Sequence, residues 1–155
     1  MQMRKSMRLN SNIALTLVFS LVAATVFAAA GSANAGDGEI EVTAERAAIC
    51  AKAEKRYAKL YPNVADDGAV IVKLYKYNFC PANVTVKPGT TVRWVNVDKR
   101  TSHSVWLKQA GVNESERFFP EENWSYTFDN PGKYPYLCGP HWKDEGMRGF
   151  VKVQP

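Results

Sequence analysis

Apolar and polar positions divide the chain into three textures. Residues 13–30 form an apolar run without a charge. Residues 41–61 place Ile49, Cys50, Ala53, Tyr57, Leu60 and Tyr61 at helical spacing on one side, with Arg46, Lys52, Lys55, Arg56 and Lys59 assigned to the other. Thr43 is positioned to cap that helix, Glu45 puts a negative charge in its first turn, and Pro62 ends it. From residue 70 onward the texture is short β-rich runs between turn residues, with no second helix-length period.

The first of these runs, 70–79, changes its apolar face from Val70, Val72 and Leu74 to Tyr75, Tyr77 and Phe79, which predicts a strand with a bulge or bend. Val84 and Val86 alternate, residues 87–90 (Lys-Pro-Gly-Thr) make a turn, and 92–96 form another strand. Residues 105–107, 123–128, 134–137 and 150–153 supply the rest, with a turn at 129–132. Six or seven short strands read as an all-β sandwich carrying one extra N-terminal helix. The expected organisation is a targeting segment over 1–35, a helix and linker over 36–69, and a β domain over 70–155. The helix is read as a lid on part of the sandwich, with a partner-binding helix as the alternative.

The N-terminus sharpens the compartment. Arg4, Lys5 and Arg8 precede the apolar run, and Ala33-Asn34-Ala35 is a small-residue cleavage site, so a signal peptide cut after Ala35 is expected. A retained membrane anchor is the alternative, since about 20 apolar residues span a bilayer. Bacterial-type export to the periplasm fits this pattern. The whole chain has a formal charge of +5, but three of its 20 basic residues lie before Ala35 and none of its 15 acids does, leaving 17 against 15. No basic cluster with interleaved aromatics suggests nucleic acid.

Chemistry concentrates in residues 134–147, Tyr-Pro-Tyr-Leu-Cys138-Gly-Pro-His141-Trp-Lys-Asp-Glu-Gly-Met147. A thiolate, an imidazole and a thioether suit copper, and two His and one Cys with a weak axial Met make the blue-copper (type 1) arrangement. The second imidazole is His103. The chain has two His, and after cleavage one Met, so this assignment uses all of them. Singly, His103 could be a surface residue, Cys138 a buried apolar one and Met147 core filling.

Residues 131–141 (PGKYPYLCGPH), with Met147 and 149–153 (GFVKV), resemble the C-terminal loop of cupredoxins of the plastocyanin and pseudoazurin type. Residues 84–98 (VTVKPGTTVRWVNVD) with 103–105 (HSV) resemble their central strands and first histidine. The resemblance spans roughly residues 70–155. It implies a Greek-key sandwich binding one copper, Cu(I) or Cu(II), through His103, Cys138, His141 and Met147. It also implies a second histidine whose ring edge reaches the surface inside an apolar patch, for which Pro140 and Trp142 are candidates. Trp142 in the core is the alternative. Five residues separate His141 from Met147, one more than the plastocyanin-like loop usually carries. Ser104 is expected to tie the His103 loop to the Cys138 loop, or to be an ordinary strand-end residue.

If Cys138 is a metal thiolate, Cys50 and Cys80 remain, and an oxidising compartment would pair them. The alternative is two separate buried thiols. The function indicated is a monomeric one-electron carrier between periplasmic redox proteins, with a cytochrome or a copper enzyme as partner. Periplasmic copper handling in copper tolerance is the alternative. Catalysis is not indicated, because no histidine is left for a second metal centre.

Overall fold

The structure is a computed structural model that describes residues 38–64 and 67–155. The apolar run 13–30 and the cleavage position after Ala35 lie outside the described residues. Helix α1 spans Ala44–Leu60, and seven strands follow: β1 Val70–Tyr75, β2 Asn78–Cys80, β3 Asn83–Val86, β4 Thr90–Asn96, β5 Asn123–Phe128, β6 Gly132–Leu137 and β7 Arg148–Val153. They form two sheets ordered β2-β1-β4-β5 and β3-β7-β6, with β1 parallel to β4 and β3 parallel to β7. The chain changes sheet after β2, β3 and β5, the Greek-key sandwich the sequence predicts.

Alternation along the strands sorts side chains between two cores. Val72, Leu74, Val92 and Trp94 face inward and pack with Phe79, Tyr136, Val151 and Val153. Ile71, Tyr75, Val95 and Val97 face outward and meet Ala53, Tyr57 and Leu60 of α1. The helix therefore covers the outer face of the first sheet. Thr43 caps it as expected, its Oγ1 accepting from Arg46 N at 3.2 Å. Cys50 and Cys80 form a disulfide that joins α1 to β2. Lys73 Nζ reaches Glu54 at 2.7 Å, and the Tyr61 hydroxyl donates to Glu121 O at 2.7 Å.

Two expectations need correction. Residues 70–79 are not one bulged strand but an antiparallel hairpin, β1 and β2, in which Tyr75 pairs with Asn78 across Lys76 and Tyr77. Both turn residues have positive φ, 46° and 59°, the two-residue arrangement that usually selects Asn-Gly. The apparent change of face has two sources: β1 is covered on both sides, and the turn restarts the alternation. Secondly, Arg46 and Arg56 are not on the solvent side of α1. Residues 46, 50, 53 and 57 follow one stripe, so both arginines lie along the sheet, half-buried. Arg56 Nε donates to Val97 O at 2.5 Å, its stem covering apolar surface while the head stays polar. Burial lowers the proton affinity of the Arg46 guanidinium.

Candidate metal centre

Two connections build the site at one end of the sandwich. The first is the long segment between β4 and β5, which carries His103. The second is the short loop between β6 and β7, which carries Cys138, His141 and Met147. Residues 105–107, expected as a strand, are instead part of the first connection, held by two isolated bridges: His103 with Phe118, and Trp106 with Leu137. Asn96 closes its start, its buried Nδ2 donating to Thr101 O (2.8 Å) and Phe118 O (3.2 Å), while Oδ1 accepts Asp98 N (2.9 Å).

The second loop is closed by its own backbone. Cys138 N donates to Met147 O at 3.1 Å, and His141 O accepts Met147 N at 3.1 Å. His141 N in turn donates to Cys138 O at 3.0 Å. Gly146, with φ 63°, supplies the left-handed step just before Met147. Met147 is fully buried and shares the core cluster of Cys138.

His103, Cys138 and His141 converge, with one ligand atom from each lying within 4.8 Å of the others. Both rings present Nδ1 to the Cys138 Sγ, His141 at 3.4 Å and His103 at 3.7 Å. The rings lie 5.1 Å apart at 70°. One soft sulfur and two imidazole nitrogens around a common point fit a copper ion. Burial pushes the Cys138 thiol up, an effect that the Ser104 N–H partly offsets. Burial, followed by the neighbouring His103, lowers the His141 pKa.

The surroundings of the two histidines differ. His103 is fully buried, and its Nε2 meets Asp98 Oδ2 at 2.9 Å. The same oxygen accepts Lys76 N from the β1–β2 turn at 3.0 Å. His141 is partly exposed, with the Tyr77 ring edge-on at 4.9 Å. Pro140 and Trp142 are also partly exposed, so Trp142 is outside the core; Lys143 and Arg148 lie over its ring at 5.4 and 5.2 Å.

Ser104 links the two connections through both backbone and hydroxyl. Its N–H points at Cys138 Sγ (3.5 Å), its Oγ accepts Gly139 N (3.1 Å), and its hydroxyl donates to Glu114 Oε1 (2.6 Å). The Glu114 carboxylate sits over Gly139 so closely that any Cβ there would collide with it. Asp98, Glu114 and Tyr77 were not singled out by the sequence. The one available signal is that Asp98 is a carboxylate in the short stretch between a strand end and a candidate ligand.

Comparisons with known proteins agree with this geometry. Residues 67–154 match the family described as copper binding proteins, plastocyanin/azurin family. The amicyanin of Paracoccus versutus is 31% identical over 145 residues, covering 91% of this chain and 98% of its own length. The plastocyanin of Scenedesmus fuscus is 35% identical over 100 residues, covering 58% of this chain and 93% of its own. Among solved structures, a reduced tryptophan-to-tyrosine variant of amicyanin superposes with a TM-score of 0.52 at 34% identity, over 60% of this chain and 88% of that one. The convergent sulfur and imidazoles, the two-sheet sandwich and these likenesses have one common explanation: the chain belongs to the plastocyanin/azurin family of copper-binding proteins, the cupredoxins.

Proposed function

We propose that this protein is an exported one-electron carrier that moves between larger redox proteins of the periplasm, with His103, Cys138, His141 and Met147 as its copper ligands. The observation that carries this reading is the asymmetry of the two imidazoles, one sealed in the core and one partly exposed on the same sulfur. Copper supplies a couple that gains and loses one electron at accessible potentials. The chain's own part is to hold its donors still. The bridges at His103 and Trp106 and the backbone closure of the 138–147 loop limit rearrangement when the charge changes. His141, with Pro140 and Trp142 beside it, offers the short route from Cys138 to a docked partner. The likeness to amicyanin and plastocyanin supports a carrier. Residues 1–35 act as its cleaved export signal.

The test uses mature, copper-loaded protein. It should show one intense thiolate-to-copper band and exchange one electron per chain with a cytochrome c in stopped flow. Cys138→Ala should lose the band. A band that persists in that variant, or no exchange with any redox protein, overturns the reading. Met147→Leu should keep copper but change both colour and potential, and a variant matching the parent in both removes Met147 from the ligand set.

A further inference from the structure

Asp98 is a buried carboxylate whose two bonds converge on a single oxygen, Oδ2: one from the His103 ring and one from the backbone of Lys76. Among the described residues, the buried polar side chains are Asn96, Asp98, His103 and Ser104. Of these, Asp98 is the one that brings a negative charge. We propose that Asp98 is a positioning residue that sets the redox preference of the centre, its charge favouring the oxidised state through the His103 ring. This inference rests on His103 being a copper ligand.

The argument begins with the proton. Nε2 facing a carboxylate must carry the ring hydrogen, which leaves the Nδ1 lone pair free to face Cys138 Sγ. A single carboxylate therefore fixes both the tautomer and the ring orientation. Charge comes next. Copper(II) with one thiolate carries a net positive charge, whereas copper(I) with the same thiolate is neutral. A carboxylate bonded to a ligand ring makes that ring a stronger donor and attracts the positive state, and at 8% exposure water screens it weakly.

The placement is also built into the fold. Lys76 can offer its N–H because the hairpin turn holds two non-glycine residues in left-handed conformations, each costing roughly 1–2 kcal/mol relative to the right-handed form. From the other side, the Asn96 amide oxygen fixes the Asp98 backbone. The same turn brings Tyr77 against His141, so one two-residue hairpin braces both imidazoles.

The experiment is Asp98→Asn in the copper-loaded protein. An amide oxygen in the same place still accepts from both His103 and Lys76, so geometry is kept and charge is removed. The expected result is a retained thiolate band with the Cu(I):Cu(II) ratio at a fixed poise shifted about tenfold towards Cu(I), equivalent to ~59 mV for one electron. A retained band with less than a twofold shift overturns the proposal. Should the variant fail to bind copper, proton NMR of the Cu(I) parent decides. A slowly exchanging, strongly downfield His103 Nε2–H supports the proposal, and its absence overturns it. A parent lacking the band would instead remove the copper reading itself.

Discussion

The two connections that make the centre solve the same problem by different means. The 138–147 loop is short and local: three of the four candidate ligands sit within ten residues, and its backbone bonds to itself at Cys138, His141 and Met147. The segment carrying His103 is long and supplies one candidate ligand, which is held by distant parts of the same segment, Asp98 and Phe118, and by two other elements: the Lys76 turn, through Asp98, and the other loop, through Ser104. A local loop can present a side chain partly to solvent, as His141 is presented. A ligand fixed from several directions ends up buried, as His103 is. Position and exposure are thus divided between the two loops, one serving rigidity and the other access.

The strongest way to break this comparison is to delete each imidazole and offer a free one. His141→Gly should lose its colour and regain it with added imidazole, because solvent reaches that position. His103→Gly should not be rescued, since its site is sealed and Asp98 would be left without its ring partner. Equal rescue of both, read by the thiolate-to-copper band, would erase the distinction.

A smaller effect is expected behind the His103 side. The Cys50–Cys80 bond closes a loop with a sequence separation of 30 and pins the helix to the hairpin that reaches Asp98 through Lys76 and His141 through Tyr77. Its removal by paired Cys→Ser changes should cost about 3 kcal/mol in denaturant unfolding while copper stays bound. Unfolded, metal-free, non-reduced protein should titrate a single thiol, Cys138. Three titrating thiols would remove the bond.

Ser104→Ala tests the tie between the loops. It strips the acceptor from Gly139 N and the donor from Glu114, and should cost about 1–2 kcal/mol with the band kept. No loss of stability would make Ser104 incidental.

The mildest test is the proton count on loading. In metal-free protein the Cys138 pKa is raised and that of His141 is lowered, so near neutral pH the thiol is protonated and His141 is not. Binding Cu(II) at neutral pH should therefore release about one proton per chain, from Cys138. As pH falls through the lowered His141 pKa a second is released, and copper affinity drops further. Release that does not change with pH, measured in weakly buffered titrations, would contradict this.

Features that depend on neighbours in the chain were legible in the sequence. Thr43 caps the helix, and the 3.6-residue period sets its span, because both act within one turn. β5 was read at its observed bounds, Asn123–Phe128, because turn residues bracket it. His103, Cys138 and His141, which the fold brings together, could be picked out as candidates because with two histidines and three cysteines in the chain there was little to choose among. What tertiary structure decided involves residues far apart or conformations without a residue signature. The hairpin at Lys76 and Tyr77 lacks the glycine or asparagine that would announce positive φ; its contacts are the bond of Lys76 N to Asp98, the bond of Asn78 Nδ2 to Lys76 O and the Tyr77–His141 ring contact. Arg46 and Arg56 looked solvated because their charge masked their place on the buried stripe. Asp98 and Glu114 were not singled out in the sequence, and only the fold shows one bonded to His103 and the other over Gly139. A charged side chain takes its role from what it is buried against, and in this chain the fold supplies those neighbours.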